Sequence, residues 1–546
     1  MNGVLLQAFH WYLQADASRM NGKKLWQFLK DEAGHLRSIG VDAIWIPPAY
    51  RGADANGAGY DVYDHYNIGE FPVNAHTGTR YGTKQELREA IEALHGNGSN
   101  KRINVYADIV INHKTGGDAN PVFWEAIRVE KNDRNKERWG EGWESGKIEV
   151  KGYTNFTYPE RAHAYSAFTW DARHFDSIDT VIQIRQGEQY FTESDKYIYR
   201  FLYNEEGYDP HVKNFDRWVD LEKGNFDFLT SCDFDYGRTD VREEIKTWGE
   251  WYVREFDFDG VRLDAVKHIS THYIQEWIGH VRAKTGKDLF AVAEYISGNT
   301  LTLHDYINKV TTQWQFPQQI TLFDFPLFFQ FNTASREGET YNLQNLFKNN
   351  LVSEQPSLAV TFVENHDYEY GRGWQCHVEA WFKPLAYAFI LLRKKGFPCL
   401  FFPDYYGSTS IEDHKGYAGG RNYLDLLLKL RKQFALGNEL DYADGSVAGW
   451  TRLGFTEKAK GCMAVVINTA YNRVQSIRMN TMRTFKQFNH LATIKWTEEG
   501  YLVVRGSYQL YGNKETALWT GEEGWGEFVA DGGTVSIWIE DGAELE

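Results

Sequence analysis

Cysteine is scarce in this chain. Of 546 residues only Cys232, Cys376, Cys399 and Cys462 are cysteines, and no two form a Cys-x-x-Cys pair. Such scattering argues against a disulfide framework or a cysteine-based zinc site and predicts free thiols. Long apolar runs are also missing. The most apolar internal stretch, Leu385 to Leu392, falls far short of a bilayer core of about 30 Å. Basic charge is in deficit: 59 Lys and Arg face 75 Asp and Glu, a net charge of −16. Nucleic acids and anionic membranes reward basic surfaces, so neither is an expected partner. Low-complexity tracts are absent, and so is a basic, then apolar, then small-residue leader in Met1-Asn2-Gly3-Val4-Leu5-Leu6-Gln7. The protein is expected to be cytoplasmic if Met1 is the native start and secreted if a signal peptide was removed.

What is present is an ordinary folding composition, with 42% hydrophobic and 25% charged residues. The length allows about two to four domains. Aromatics are abundant at 16%, including 19 Trp and 33 Tyr. Most of these serve a core, but rings also suit ligands with flat apolar faces, such as sugars.

Along the chain, short buried strands alternate with amphipathic helices. Val4 to Phe9, Ala43 to Ile46 and Ile103 to Val110 read as strands, with helices at Gly22 to Ile39 and Lys84 to His95. The rhythm breaks between Lys114 and about Lys223, which is too long for a connecting loop. It resumes with strands at Gly260 to Asp264, Leu289 to Glu294, Ile320 to Phe325, Leu358 to Val363 and Cys399 to Phe402. Eight strand–helix units predict a closed (β/α)8 barrel over 1–113 and 224–440, with a subdomain, 114–223, inserted after the third strand. Beyond about 440 the pattern becomes short strands separated by turns, which predicts an antiparallel β-sandwich over 441–546.

Barrel enzymes carry their chemistry at the C-terminal ends of the strands. Polar residues crowd those ends: Asp108 to His113 on the third strand, Arg262 and Asp264 on the fourth, Glu294 on the fifth, and Glu364-Asn365-His366-Asp367 on the seventh. Any one of these could be a strand cap or a structural ion pair; four on one rim point to a site. Strand alternation puts Arg262 and Asp264 on one face, where the guanidinium favours the carboxylate anion. Glu294 follows apolar Phe290-Ala291-Val292-Ala293 with no cation close in sequence, so its proton should be easier to keep. Paired carboxyls of unlike protonation suit hydrolysis of a neutral acetal. Asp264 is therefore assigned as nucleophile and Glu294 as general acid/base, with Asp367, His366 and His113 gripping sugar hydroxyls.

The same residues carry a resemblance. Asp108–His113, Gly260–His268, Ala293-Glu294-Tyr295 and Phe362–Asp367 resemble, in order, the four short signatures of the starch-acting α-amylase family, most nearly its bacterial liquefying type. Leu6-Gln7-Ala8-Phe9-His10-Trp11 is similar to the family's opening strand, and Gly532 to Ile537 to its close. The resemblance implies catalytic roles for Asp264, Glu294 and Asp367 supported by Arg262, His113 and His366. It also implies a tyrosine, Tyr60, stacked on the sugar beside the cleavage point, and substrate contacts from Lys267 and His268. It further implies calcium held by Asn112, Asp227, Asp233 and the backbone carbonyl of His268, with Asp176 and Asp216 adding to a neighbouring sodium or second calcium. Ile296 stands where relatives often carry a tryptophan, and Glu364 where aspartate is commoner. The activity implied is endo-acting, retaining hydrolysis of α-1,4-glucosidic bonds in starch, glycogen and maltooligosaccharides by a monomer. A 4-α-glucanotransferase of the same fold and a non-catalytic glucan-binding protein are the alternatives.

Overall fold

The alternation of strands and helices closes on itself in the computed structural model, which describes residues 2–73, 75–96, 98, 101–137, 148–192, 197–202, 215–312, 318–372, 376–409, 418–454, 461–505 and 517–545. Eight parallel strands form a closed barrel: β1 (Leu5–Gln7), β2 (Ala43–Trp45), β3 (Asn104–Ile109), β4 (Gly260–Leu263), β5 (Phe290–Ala293), β6 (Thr321–Phe323), β7 (Ala359–Phe362) and β8 (Phe397–Phe401). Each pairs with its sequence neighbours and β8 closes on β1, so the expected eight-unit topology is the observed one. The strands are buried apart from the half-buried first residues Asn104, Phe290, Thr321 and Phe397, as continuous apolar runs in a parallel sheet should be.

Local chemistry sets the helices that cover the barrel. Helix α1 (Leu25–Ile39) buries Leu25, Phe28, Leu29, Leu36 and Ile39 on one stripe and stops at Gly40, whose φ of 94° suits a residue without Cβ. Helix α2 (Lys84–His95) starts at a reciprocal cap between Thr83 and Glu86, a device worth about 1 kcal/mol.

The interrupting segment is richer in strands than its irregular sequence suggests. It builds a nine-stranded sheet whose inner edge runs Phe175–Ile178, Cys232–Phe234, His113–Lys114. The sheet thus reaches past 114–223 at both sides, taking in His113 and the strand up to Phe234. This places the end of β3 and the chain returning to the barrel against each other, Asp233 opposite His113. The C-terminal region holds a seven-stranded antiparallel sheet and a two-stranded one, Gln475–Asn480 with Trp525–Ala530. Between them lies an apolar core of Val466, Met479, Phe488, Phe528 and Trp538. The four cysteines are free. Among the described residues no helix is long and apolar enough to cross a membrane.

Candidate active site

Parallel register decides what meets at the rim. Arg262 of β4 pairs in register with Asp108 of β3 on one side and Val292 of β5 on the other. The chain then leaves β4 through Asp264 into Ala265, which adopts φ 46°, a strained left-handed conformation for a residue with a Cβ. The Asp264 N–H donates to the Ile109 carbonyl and the Glu294 N–H to that of Leu263, so both carboxyl-bearing residues are pinned by the adjacent strand.

The result is one guanidinium shared by three carboxylates. Arg262, 1% exposed, donates through Nη1 to Asp108 at 2.9 Å and to Asp264, and through Nη2 to Glu294 at 2.5 Å. Asp108 also accepts from Trp45 Nε1 at 3.0 Å and the Tyr60 hydroxyl at 2.8 Å. The sequence assigned Asp108 no role, although a carboxylate inside an apolar strand was a visible signal.

Two expectations about protonation change. Arg262 favours the ionised form of Asp264, but burial outweighs it, and repulsion from Asp108 and Asp367 adds to burial; the Asp264 carboxyl rises to about 7. Glu294 has a cation beside it after all, because the barrel brings Arg262 across 32 residues of sequence. Burial still dominates, with repulsion from Asp264 and Asp367, and pushes Glu294 up to about 8. Burial raises Asp108 too, against the pull of Arg262. One positive charge thus faces several buried carboxyls, and the group retains a proton near neutrality.

Around this centre lies a cavity of about 370 Å³ lined by Trp11, Tyr60, His113, Asp264, Glu294 and Asp367, among others. Tyr60 follows Gly59, whose φ of 93° and close approach to the Pro48 carbonyl leave no room for a Cβ. Its ring stacks on His366 at 5.0 Å and 11°. Gln7 Nε2 donates to His366 Nδ1 at 3.1 Å, which leaves the proton on Nε2, 3.5 Å from Asp367. Burial lowers His366 and His113 to about 4, so both rings are neutral. His113 Nε2 donates to the Tyr60 carbonyl at 2.9 Å. Lys267 and His268 line the same cavity; Lys267 Nζ pairs with Glu222 at 2.7 Å and the His268 ring stacks on Phe226 at 4.3 Å. Arg372, which the sequence did not mark, lies 3.7 Å over the Trp11 ring and 3.7 Å from Asp367.

Where the inserted sheet meets the barrel, Asp176, Asp227 and Asp233 bring carboxylate oxygens within 4.8 Å of one another. Asn112 Nδ2 donates to Asp233 at 2.7 Å, and the Asp216 N–H donates to Asp227 at 2.7 Å. Burial raises all four aspartates well above the carboxylate range, and their mutual repulsion adds to it. Among the described residues, Oδ2 of Asp176, Asp216 and Asp233 is buried without a hydrogen-bond partner. An all-oxygen acidic group with orphaned acceptors fits a hard divalent cation.

Residues 26–498 match the family described as "Alpha amylase, catalytic domain". The chain is 38% identical to an α-amylase of Geobacillus stearothermophilus over 98% of its length and 87% of that protein. It is 36% identical to the cytoplasmic α-amylase of Escherichia coli strain K12, over 98% of this chain and 99% of that one. An Anoxybacillus α-amylase structure superposes with a TM-score of 0.59 at 16% identity, covering 99% of this chain and 98% of the other, a likeness of fold. With its barrel, its carboxylate-lined rim and these relatives, the chain belongs to the α-amylase family and is a glycoside hydrolase.

Proposed function

We propose that the protein is an endo-acting, retaining hydrolase of α-1,4-linked glucans, with Asp264 as nucleophile and Glu294 as general acid/base. The observation that carries this reading is the single guanidinium of Arg262 bridging both carboxyl groups. One cation held between them keeps the two carboxyl groups at one place on the rim, where a nucleophile and a proton donor can act on the same glycosidic bond.

In the first step Glu294 gives its proton to the glycosidic oxygen as the bond to C1 breaks, and Asp264 closes on C1 to form a β-linked glycosyl ester. In the second, Glu294 takes a proton from water as the water oxygen attacks C1, releasing Asp264 and an α-configured product. Arg262 remains charged throughout: burial opposes its charge, but Asp108, Glu294 and Asp264 outweigh it. Asp367, beside the Nε2–H of His366, binds sugar hydroxyls and steadies the distorted ring, and Tyr60 supplies a stacking face. Calcium is the cation the aspartate group suits: Asp227, Asp233, Asn112 and the His268 carbonyl would hold it, with Asp176 and Asp216 completing that site or a neighbouring one. Bound there, it would neutralise the buried charge and join the inserted sheet to the barrel.

Purified protein with soluble starch, followed by product chromatography and by NMR of the new anomeric centre, tests the reading. Early mixed oligosaccharides in the α-configuration, lost in Asp264→Asn and Glu294→Gln, are expected. Initial β-products would refute retention. Elongated or cyclic glucans with little new reducing sugar would identify a glucanotransferase, and binding without turnover a glucan-binding protein.

A further inference from the structure

The segments that follow β1 and β7 meet at the rim and carry a pair of side chains to which the glycosidic chemistry gives no part. Arg372 lays its guanidinium over the Trp11 ring, with Cζ 3.7 Å from the ring centroid, and its Nη2 stands 3.7 Å from Asp367 Oδ1. Both side chains line the active-site cavity. The Trp11 ring runs at 15° to that of Tyr60, with centroids 6.3 Å apart, and Tyr60 in turn stacks on His366. Arg372, Trp11, Tyr60 and His366 thus form a series of flat groups along one wall.

The two ends of the outer pair are anchored through one residue. The buried carboxylate of Glu369 accepts from the Trp11 N–H at 2.7 Å, and the Arg372 N–H donates to the Glu369 carbonyl at 3.1 Å. The Tyr12 hydroxyl donates to the Gly371 carbonyl at 2.9 Å, and Arg80 Nη2 donates to the Trp11 carbonyl at 2.7 Å. The backbones beneath ring and guanidinium are therefore stapled together, so the fold itself, and not a loose surface pairing of long side chains, sets one upon the other. A guanidinium in van der Waals contact with an aromatic face occupies the place where a sugar ring would stack.

In the reaction proposed above, the leaving chain departs on the side of Glu294, which protonates its oxygen, while the sugar held by Asp264, Asp367 and Tyr60 stays. Trp11 and Arg372 adjoin Tyr60 and Asp367, and so stand on the retained, non-reducing side. We propose that Arg372 is a specificity-determining residue that closes this side of the cleft by covering the Trp11 face, and so limits how many glucose units extend beyond the reacting one. The inference rests on the glucan reading of the active site and adds to it a determinant of product length.

The test maps the bonds cut in maltoheptaose labelled at its reducing end, by chromatography of the labelled products. It uses the full-length protein beside Arg372→Ala, Arg372→Lys and the double variant Trp11→Leu with Arg372→Ala. In Arg372→Ala the bared ring should favour binding with more glucose units on the retained side. Cleavage at bonds near the labelled end, relative to the others, should rise about two- to tenfold, the worth of one aromatic contact. Arg372→Lys keeps a cation near Asp367 without the planar cover, so it should shift the pattern in the same direction but less far. Adding Trp11→Leu should abolish the gain, because the face that caused it is gone. An unchanged pattern in both single variants, at an unchanged melting temperature, would overturn the proposal. A shift towards fewer retained units would overturn it as well, since Arg372 would then bind sugar and not exclude it. Failure of the glucan reading shows separately, as absence of maltoheptaose cleavage by the unmodified protein.

Discussion

Arg262→Gln is the sharpest perturbation of the site. The side chain is 1% exposed and bonds Asp108, Asp264 and Glu294, so its loss leaves three buried carboxyls facing one another without a cation. Removing one partner of a buried ion pair costs about 3–5 kcal/mol, and the variant should lose that much stability near neutral pH. The cost must depend on pH in a definite direction. Arg262 lowers the pKa of all three carboxyls, so without it the folded variant binds protons to a higher pH than the unmodified protein does. Stability falls with pH wherever the folded state holds the extra protons, at about 1.4 kcal/mol per proton per pH unit. The deficit is therefore smallest at about pH 5 and grows towards about pH 8. Activity follows the same logic: each unit by which Asp264 rises above the assay pH lowers the nucleophilic fraction about tenfold. Denaturant unfolding at several pH values, together with kcat on soluble starch, measures both. A pH-independent deficit, or kcat within a few-fold of the original at neutral pH, would refute the shared-guanidinium account. Arg262→Lys should fare little better, because a point charge cannot bridge both carboxyl groups.

Other consequences are open to simple assays. Glu294→Gln should lower kcat by about 10²–10⁴-fold and Asp264→Asn by at least as much, with circular dichroism unchanged in both. The pH–activity profile should rise through about 7 as Asp264 loses its proton and fall through about 8 as Glu294 loses its own; an optimum below about pH 5 would contradict the assignment. Excess EDTA should lower the melting temperature and added calcium restore it, because four buried aspartates repel one another. Identical melting curves with and without EDTA would remove the metal from the account.

Much of this protein is legible in its residues taken locally. Strand and helix periodicities at Ala43 to Ile46, Leu25 to Ile39 or Phe290 to Ala293 depend on neighbours two to four positions away, so the eight barrel units and the polar strand ends could be read directly. The inserted segment was harder: its strands pair across distances such as His113 to Asp233, and partly polar edges carry little periodic signal. Barrel closure alone brings Arg262 to Asp108, 154 residues away, and to Glu294, 32 away, and burial then raises these carboxyls against its pull. The same holds for the meeting of Asp176, Asp227 and Asp233 and for Arg372 over Trp11. Sequence determined the kinds of groups available and the strand ends that carry them. Protonation, cation sites and cavities were decided by tertiary structure, because each depends on charge, burial and distance between residues that only the closed barrel places together.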